Sequence, residues 1–417
     1  MRPVAADGGL RMTPDAGRSE PPRATVLAVV AATTIAQVAS VMGFAIFPVI
    51  APRLAPDLGV PASMVGYQLS IAYGVAMLAT LYSSGVIPRF GACRVTQAGL
   101  ALCAVGMLLA MTASITAIIA ASVLLGIGMS VMTPASTHLL FRFSPAKNRN
   151  LIFSIKQTGV PLGWLVIALT APGITFAFGW RWALGMVMVI AVVTLVALQR
   201  VREQWDDDRK ADTGRGQSLF AGVVVLWRAP TLRWLGIATF FYAFVQLCLA
   251  SFLVLMLVED LEYTLVAAGL LLSVMQCSGV IGRIVWGWIT DRSGDGLAML
   301  FGLNVLMLVC CVLIAFVSPR WPVLAIVVLC IAFGASAIGW NGIYLAEIAR
   351  RSPRGMVSVA TGGAMVWNFG GILVGPATFA TAYKWIGSYT ATFGWLTLIA
   401  ALGLLFITLA RRSERDA

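Results

Sequence analysis

The sequence predicts an all-α polytopic membrane protein of twelve transmembrane helices in two pseudo-symmetric six-helix bundles. Three observations predict it. Of 417 residues, 59% are hydrophobic and only 11% charged, with a mean hydropathy of +0.90, far from the balance of a soluble domain. Apolar runs of the roughly 20 residues that cross a bilayer recur along nearly the whole chain. Basic loops alternate with loops that carry few positive charges, which gives the runs a common orientation.

The spans read as 25–50, 62–86, 95–114, 117–141, 150–173, 181–199, 233–257, 264–289, 297–317, 322–346, 356–382 and 389–410. Continuous runs exclude a membrane barrel, whose short strands alternate, and leave the helix as the way to satisfy every backbone amide in lipid. Among 29 Lys and Arg, only Arg53, Arg181, Arg320 and Lys384 fall on the side away from the termini; the rest crowd the tails and loops such as "RFGACR", "RFSPAKNR" and "ARRSPR". The positive-inside rule then places both termini in the cytoplasm and the chain, multi-pass, in the cytoplasmic (inner) membrane. Anchoring beside an anionic leaflet accounts for the net charge of +12 without nucleic acid. Seven cysteines, an odd number and nearly all inside apolar runs, imply no disulfide framework.

Residues 1–24 read as a disordered cytoplasmic tail, because the apolar run that follows is too long for a signal peptide. Residues 25–199 form the N-terminal six-helix bundle, 200–232 a cytoplasmic linker, 233–410 the C-terminal bundle and 411–417 a second tail. Within the linker, "SLFAGVVVLW" is too short to span and reads as a helix lying on the inner surface. Six spans followed by six suggest an internal repeat. With Arg149 set on Arg354, "RFSPAKNRN" aligns with "EIARRSPRG" and Arg142 falls on Glu347; "SGVIPRFG" matches "GWITDRSG", Gly for Gly and Arg for Arg.

Twelve spans in two halves, with G-x-x-x-D-R-x-G after the eighth and an altered copy after the second, resemble the major facilitator superfamily of secondary transporters over about residues 25–410. The resemblance implies two domains related by an axis along the membrane normal, a substrate site near the midplane between them, and alternating access by rocking. The two copies differ in their acids. The second half keeps Asp291, Arg292 and Glu347, whereas the first has Pro88, Arg89 and Arg142 at the matching positions. Asp291, Arg292, Glu347, Arg89 and Arg142 are therefore the expected inner gate, latched chiefly by the second half; the alternative is that these charges only hold topology.

"GRIVWGWITDRSG" places Arg283 eight residues before Asp291, about 12 Å inside the end of its helix. A cation at that depth costs several kcal/mol unless it meets water, an anion or a partner. Lys156, in "NLIFSIKQTGVPLG", lies about as deep, and because the fifth and eighth helices face each other in the superfamily, the resemblance puts both cations on one cavity. Every Asp and Glu falls in a tail, a loop or a helix end, so this cavity favours an anionic substrate, and the planar fork of arginine suits a carboxylate. The spacing of Arg283, Gly287 and Asp291 also resembles the eighth helix of monocarboxylate and related organic-anion porters, in which the arginine holds the substrate carboxylate. Their acid one turn earlier is Gly279 here, which sets their proton coupling apart from this chain. The plain alternative is that Arg283 and Lys156 snorkel to the inner interface.

Gln276 shares a face with Arg283, as do Tyr242 with Gln246 and Asn341 with Tyr344. Gln37, Tyr67, Trp367 and Asn368 come from helices that line the cavity in the superfamily. Each is a candidate substrate contact or an interhelical hydrogen bond. His138, the sole histidine, is a candidate proton relay or a structural donor.

"GVPLG" and "NFGGILVGP" interrupt the fifth and eleventh spans, as broken helices do near transporter binding sites. The former partly resembles the Gly-Pro signature of drug/proton antiporters, but their fourth-helix arginine is missing, with Ser122 or its neighbours in that region. Proton-coupled drug or metabolite efflux is thus the alternative to organic-anion transport. One histidine, scattered cysteines and unclustered acids form no nucleophile, base or metal constellation; neither enzyme activity, metal nor cofactor is expected. The expected partners are a small anionic substrate and the bilayer, with the chain working as a monomer.

Overall fold

A computed structural model describes residues 22–143, 152, 155–209, 221–353 and 357–415. Within the described residues the apolar runs fold as helices. The first half holds Arg23–Leu58, Val65–Phe90, Ala92–Ala110, Ile115–Ser130 with Met132–Phe143, Gly159–Phe178 preceded by a helical turn at 155–157, and Trp180–Gln199. The second holds Pro230–Leu255 running on to Asp260, Leu265–Ser293, Gly296–Ile314, Val323–Ala337 with Asn341–Arg351, Val357–Ile386 and Tyr389–Arg415. Eleven of these segments are long and apolar enough to cross a membrane. The eleventh span, with 30 residues, has the length, but Trp367, Asn368 and its glycines dilute its hydropathy. The expected tail 1–24 lies outside the described residues except at its end, where the first helix already starts at Arg23. Of the linker, Ala221–Arg228 is helical and lies against the eleventh and seventh spans, with Trp227 stacked on Trp367 and Leu226 buried.

The two halves use one packing scheme. In the first half the first span packs on the fifth and sixth, the second and third on the fourth, and the third on the sixth; adding six to each number gives the pairs of the second half. Between halves, the second span packs on the eleventh and the fifth on the eighth, a pair of contacts that the same two-fold exchanges. Large apolar side chains such as Leu78, Leu108, Val193, Ile284, Leu324 and Leu405 point outward, exposed, as a lipid-facing surface requires.

Helix breaks fall where backbone chemistry puts them. Pro134 offers no N–H to the Ser130 carbonyl, and the fourth span breaks at Val131. Pro161 does the same to Gln157, and the fifth span breaks at Thr158. The tenth breaks over 338–340. The eleventh, expected to be interrupted, is continuous through Pro376. Its glycines serve contact: a Cβ on Gly371 would sit 2.0 Å from the Phe240 carbonyl and one on Gly375 3.1 Å from that of Phe244, so they bring the eleventh span onto the seventh.

At the basic end, the third and ninth spans follow matching left-handed glycines, Gly91 (φ 94°) and Gly294 (φ 70°). Asp295 then caps the ninth helix through the Ala298 amide, 2.8 Å. Ala92 holds the matching place in the first half and has no oxygen to offer. Asp206, from the chain after the sixth span, supplies the cap, accepting from the Cys93 and Arg94 amides at 2.7 and 2.9 Å.

The described contacts that join the halves lie away from the basic end. A Cβ on Gly66 would meet the Pro376 carbonyl at 2.2 Å, and one on Gly269 would meet Pro172 at 2.4 Å. Thr381 commits its proton to the Ala377 carbonyl, so Tyr67 donates to it across the halves, 2.7 Å. Ser70 donates to the Leu373 carbonyl, 2.6 Å, and Lys384 lies over the Tyr67 ring. Among the described residues no hydrogen bond or ion pair joins the halves at the basic end.

Two outcomes follow. Gly66→Val overpacks the contact by about 1–3 kcal/mol and opens it; in a Cys277→Ser background, whose remaining native cysteines are buried, a cysteine placed at Ser70 should react with a maleimide about five-fold faster or more. Asp206→Ala removes a remote cap and should cost about 1–2 kcal/mol, read as a lower midpoint in thermal unfolding of the detergent-solubilised protein, with Asp206→Asn intermediate.

Candidate functional site

Arg283 sits on the eighth span against the break in the tenth. Its Nε donates to the Ile338 carbonyl, 3.0 Å, and Trp286 Nε1, one turn on, donates to the Ala335 carbonyl, 2.9 Å. Trp340 Nε1 donates to the Ala337 carbonyl, 3.0 Å. Three side-chain donors thus satisfy carbonyls around the break. Glycines bring the two spans close enough for this: a Cβ on Gly279 would lie 2.6 Å from Ile338, and one on Gly334 2.2 Å from the Met275 carbonyl. Position 279, where the organic-anion porters carry an acid, has no room here for any side chain without a shift.

Arg283 is therefore neither free nor snorkelling at Nε. Its two terminal nitrogens have no partner among the described residues, and no carboxylate pairs with it there. Beyond the same break, Gln246 on the seventh span accepts from Trp340 Nε1 and Asn341 Nδ2, at 3.0 and 3.1 Å. Arg283, Gln246 and Asn341 thus converge on the break at 338–340. Gln276 is buried two turns before Arg283 and has no hydrogen-bond partner among the described residues.

Lys156 lies beside the break in the fifth span and is 2% exposed. Its ammonium donates to Gln37 Oε1 at 3.1 Å and Gln157 Oε1 at 3.3 Å. Amide oxygens, not carboxylates, hold this cation, so its charge is solvated but not neutralised. Gly159 helps the fifth span pack close to the first, since a Cβ there would lie 3.1 Å from that of Gln37.

Other candidates point elsewhere. The Tyr242 hydroxyl donates to the Leu300 carbonyl on the ninth span, 2.8 Å, with its ring against Trp340; Tyr344 reaches the Ala364 carbonyl, 3.4 Å. Both tie helices of one half together. Asn368 is buried on the eleventh span. Tyr67 belongs to the contact between halves described above, and Trp367 stacks on the linker helix.

The four gate candidates whose side chains are described are not gathered into one cluster. Glu347, nearly buried, pairs with Arg350, 3.0 Å, and with Arg351, which also bonds Glu414 at 2.5 Å. Arg292 lies over Trp288 and Arg89 over Phe90, each without an acidic partner among the described residues. The Asp291 side chain lies outside the described residues. Arg142 pairs with Asp207 and, at 3.2 Å, with Asp208; it also donates to the Trp205 carbonyl. His138 Nε2 meets Asp208 Oδ2 at 2.8 Å, which engages the candidate relay in a surface cluster. Ion pairs at the basic end therefore occur in both halves. The first half lacks acids at the repeat positions but borrows Asp206, Asp207 and Asp208 from the following linker. The signal was the run "WDDDR" at 205–209, whose apolar Trp205 is buried against Phe143 and docks the acids.

The chain matches the family model of the Major Facilitator Superfamily over residues 33–376. It is 24% identical over 296 residues to the 4-hydroxybenzoate transporter PcaK of Acinetobacter baylyi, a stretch covering 60% of this chain and 61% of that one. It is 27% identical to monocarboxylate transporter 13 of Bos taurus over 80% of this chain and 77% of the relative. Among solved structures it resembles a POT family transporter in complex with 5-aminolevulinic acid, with a TM-score of 0.77 at 12% identity over 94% of this chain and 97% of that one. The twelve helices, their two-fold pairing and the match to the family model together establish that this chain belongs to the Major Facilitator Superfamily of membrane transporters.

Proposed function

We propose that the protein moves a small organic anion, a carboxylate, across the cytoplasmic membrane by alternating access. The observation that carries this reading is Arg283: a deep guanidinium fixed at Nε on the Ile338 carbonyl, with its terminal fork unpaired among the described residues. A fork held in this way is organised for bidentate contact with a carboxylate and loses little freedom on binding. Gln246 and Asn341 lie around the same break, and Lys156 adds a second cation held only by amide oxygens. Relatives whose names specify 4-hydroxybenzoate and monocarboxylate transport support the same chemistry.

The two bundles, 25–199 and 233–410, joined by the linker 200–232, are the proposed moving bodies. The basic end, with both termini, faces the cytoplasm. The hydrogen bonds and glycine contacts described between the halves lie away from that end, which supports a reading of this conformation as open towards the cytoplasm. A single chain carries both halves of the site and acts as a monomer.

The test is counterflow in proteoliposomes with radiolabelled mono- and dicarboxylates, 4-hydroxybenzoate included, beside a lipophilic cation. Wild type should exchange a carboxylate saturably. Arg283→Gln should lower that rate about ten- to hundred-fold, the range for losing a charge-assisted contact, with Arg283→Lys intermediate and size-exclusion profiles unchanged. Movement of the cation alone, or an Arg283→Gln variant with wild-type carboxylate exchange, would overturn the reading.

A further inference from the structure

Towards the basic end, the second, third and fourth spans leave a groove of about 480 Å³ between them. Its described walls are apolar, with Ala79 and Val86 from the second span, Ala98 and Leu102 from the third, and Ile127 from the fourth. The floor is Gly99, whose missing side chain lets the third span meet the Gly128 carbonyl, and Val131, where the fourth span breaks. From Arg94 to Leu102 the groove follows the third helix for about 12 Å. That holds the upper part of an acyl chain and is more than a small polar solute needs.

The mouth is different. Arg94, exposed, lines it beside Phe90, and Arg89 lies over the Phe90 ring, 5.4 Å from its centroid. Neither guanidinium has an acidic partner among the described residues. The nearby carboxylate, Asp206, is directed to the backbone amides of Cys93 and Arg94, while Asp207 and Asp208 pair with Arg142. A groove whose described walls are apolar, with two arginines that no described acid pairs at the membrane–water boundary, matches one class of molecule in both parts.

We propose that this groove is a binding site for an anionic phospholipid of the surrounding leaflet. One acyl chain lies along Ala98, Leu102 and Ile127, and the phosphate sits on Arg94 with Arg89 beside it. A zwitterionic lipid fills the walls equally well, but among the described residues the carboxylates near the mouth are already committed to backbone amides or to Arg142. Free phosphate meets the arginines but leaves the apolar walls empty. The site is separate from Arg283 and stands whether or not the substrate is a carboxylate.

The test is native mass spectrometry of the full chain in detergent, titrated with phosphatidylglycerol and with phosphatidylcholine of the same acyl chains. Wild type should retain one phosphatidylglycerol in preference to phosphatidylcholine. Arg94→Gln and Arg89→Gln should each weaken that preference about five-fold, the worth of one arginine at an anionic surface. Leu102→Trp, which fills the groove, should weaken both lipids, and Arg228→Gln, an exposed arginine of the linker helix, should change neither. Thermal unfolding checks that each variant is folded. Equal binding of the two lipids by wild type, or a preference that survives loss of both arginines, would overturn the proposal, and so would a Leu102→Trp variant that is folded and binds as wild type does.

Discussion

A broken helix inside a bilayer must find donors for the carbonyls it exposes, and much of the second half is arranged around that constraint at residues 338–340. The hydrocarbon core itself offers them none. Arg283, Trp286 and Trp340 do so instead, and glycines on both the eighth and tenth spans admit the approach. Gln246 then joins the seventh span to the same place through Trp340 and Asn341. A deep arginine, costly on its own, is held by the defect it repairs. Because only one of its nitrogens has a partner among the described residues, structural need and ligand capture are compatible in one side chain.

The two halves share a packing scheme but anchor their basic ends differently. The second uses local groups: Asp295 caps its own helix, and Glu347 pairs within a turn. The first has Ala92 and Arg142 at those positions and borrows three aspartates from the chain that follows its sixth span. The start of the linker is thereby part of the first bundle rather than a free tether. No described hydrogen bond or ion pair ties one half to the other at that end, while glycines bring them together towards the opposite end. This division of contacts fits the proposed rocking of two bodies.

Much of this was legible in one dimension. Hydropathy runs mark helices because lipid leaves a single-pass segment no other way to satisfy its amides, and basic loops mark one end because arginine does not cross readily. The paired loop motifs announced the repeat, and the isolation of Arg283 in an apolar run marked it for a role. The fate of the prolines was less legible. Pro134 and Pro161 accompany breaks whereas Pro376 does not, since a helix absorbs a proline when its neighbours hold it in line, as the seventh span holds the glycine face of the eleventh.

What the sequence by itself determined is the membrane class, the span count, the two-fold repeat and the identity of the deep cations. These depend on local composition and period, which each segment carries alone. Only the tertiary structure decided what those groups meet: that Arg283 bonds a carbonyl 55 residues away, that Lys156 rests on Gln37, that Tyr242 and Tyr344 serve packing, and that "WDDDR" supplies the acids missing from the first half. Hydrogen bonds and ion pairs are set by distances between segments remote in the chain, and no local pattern encodes a distance that packing alone creates.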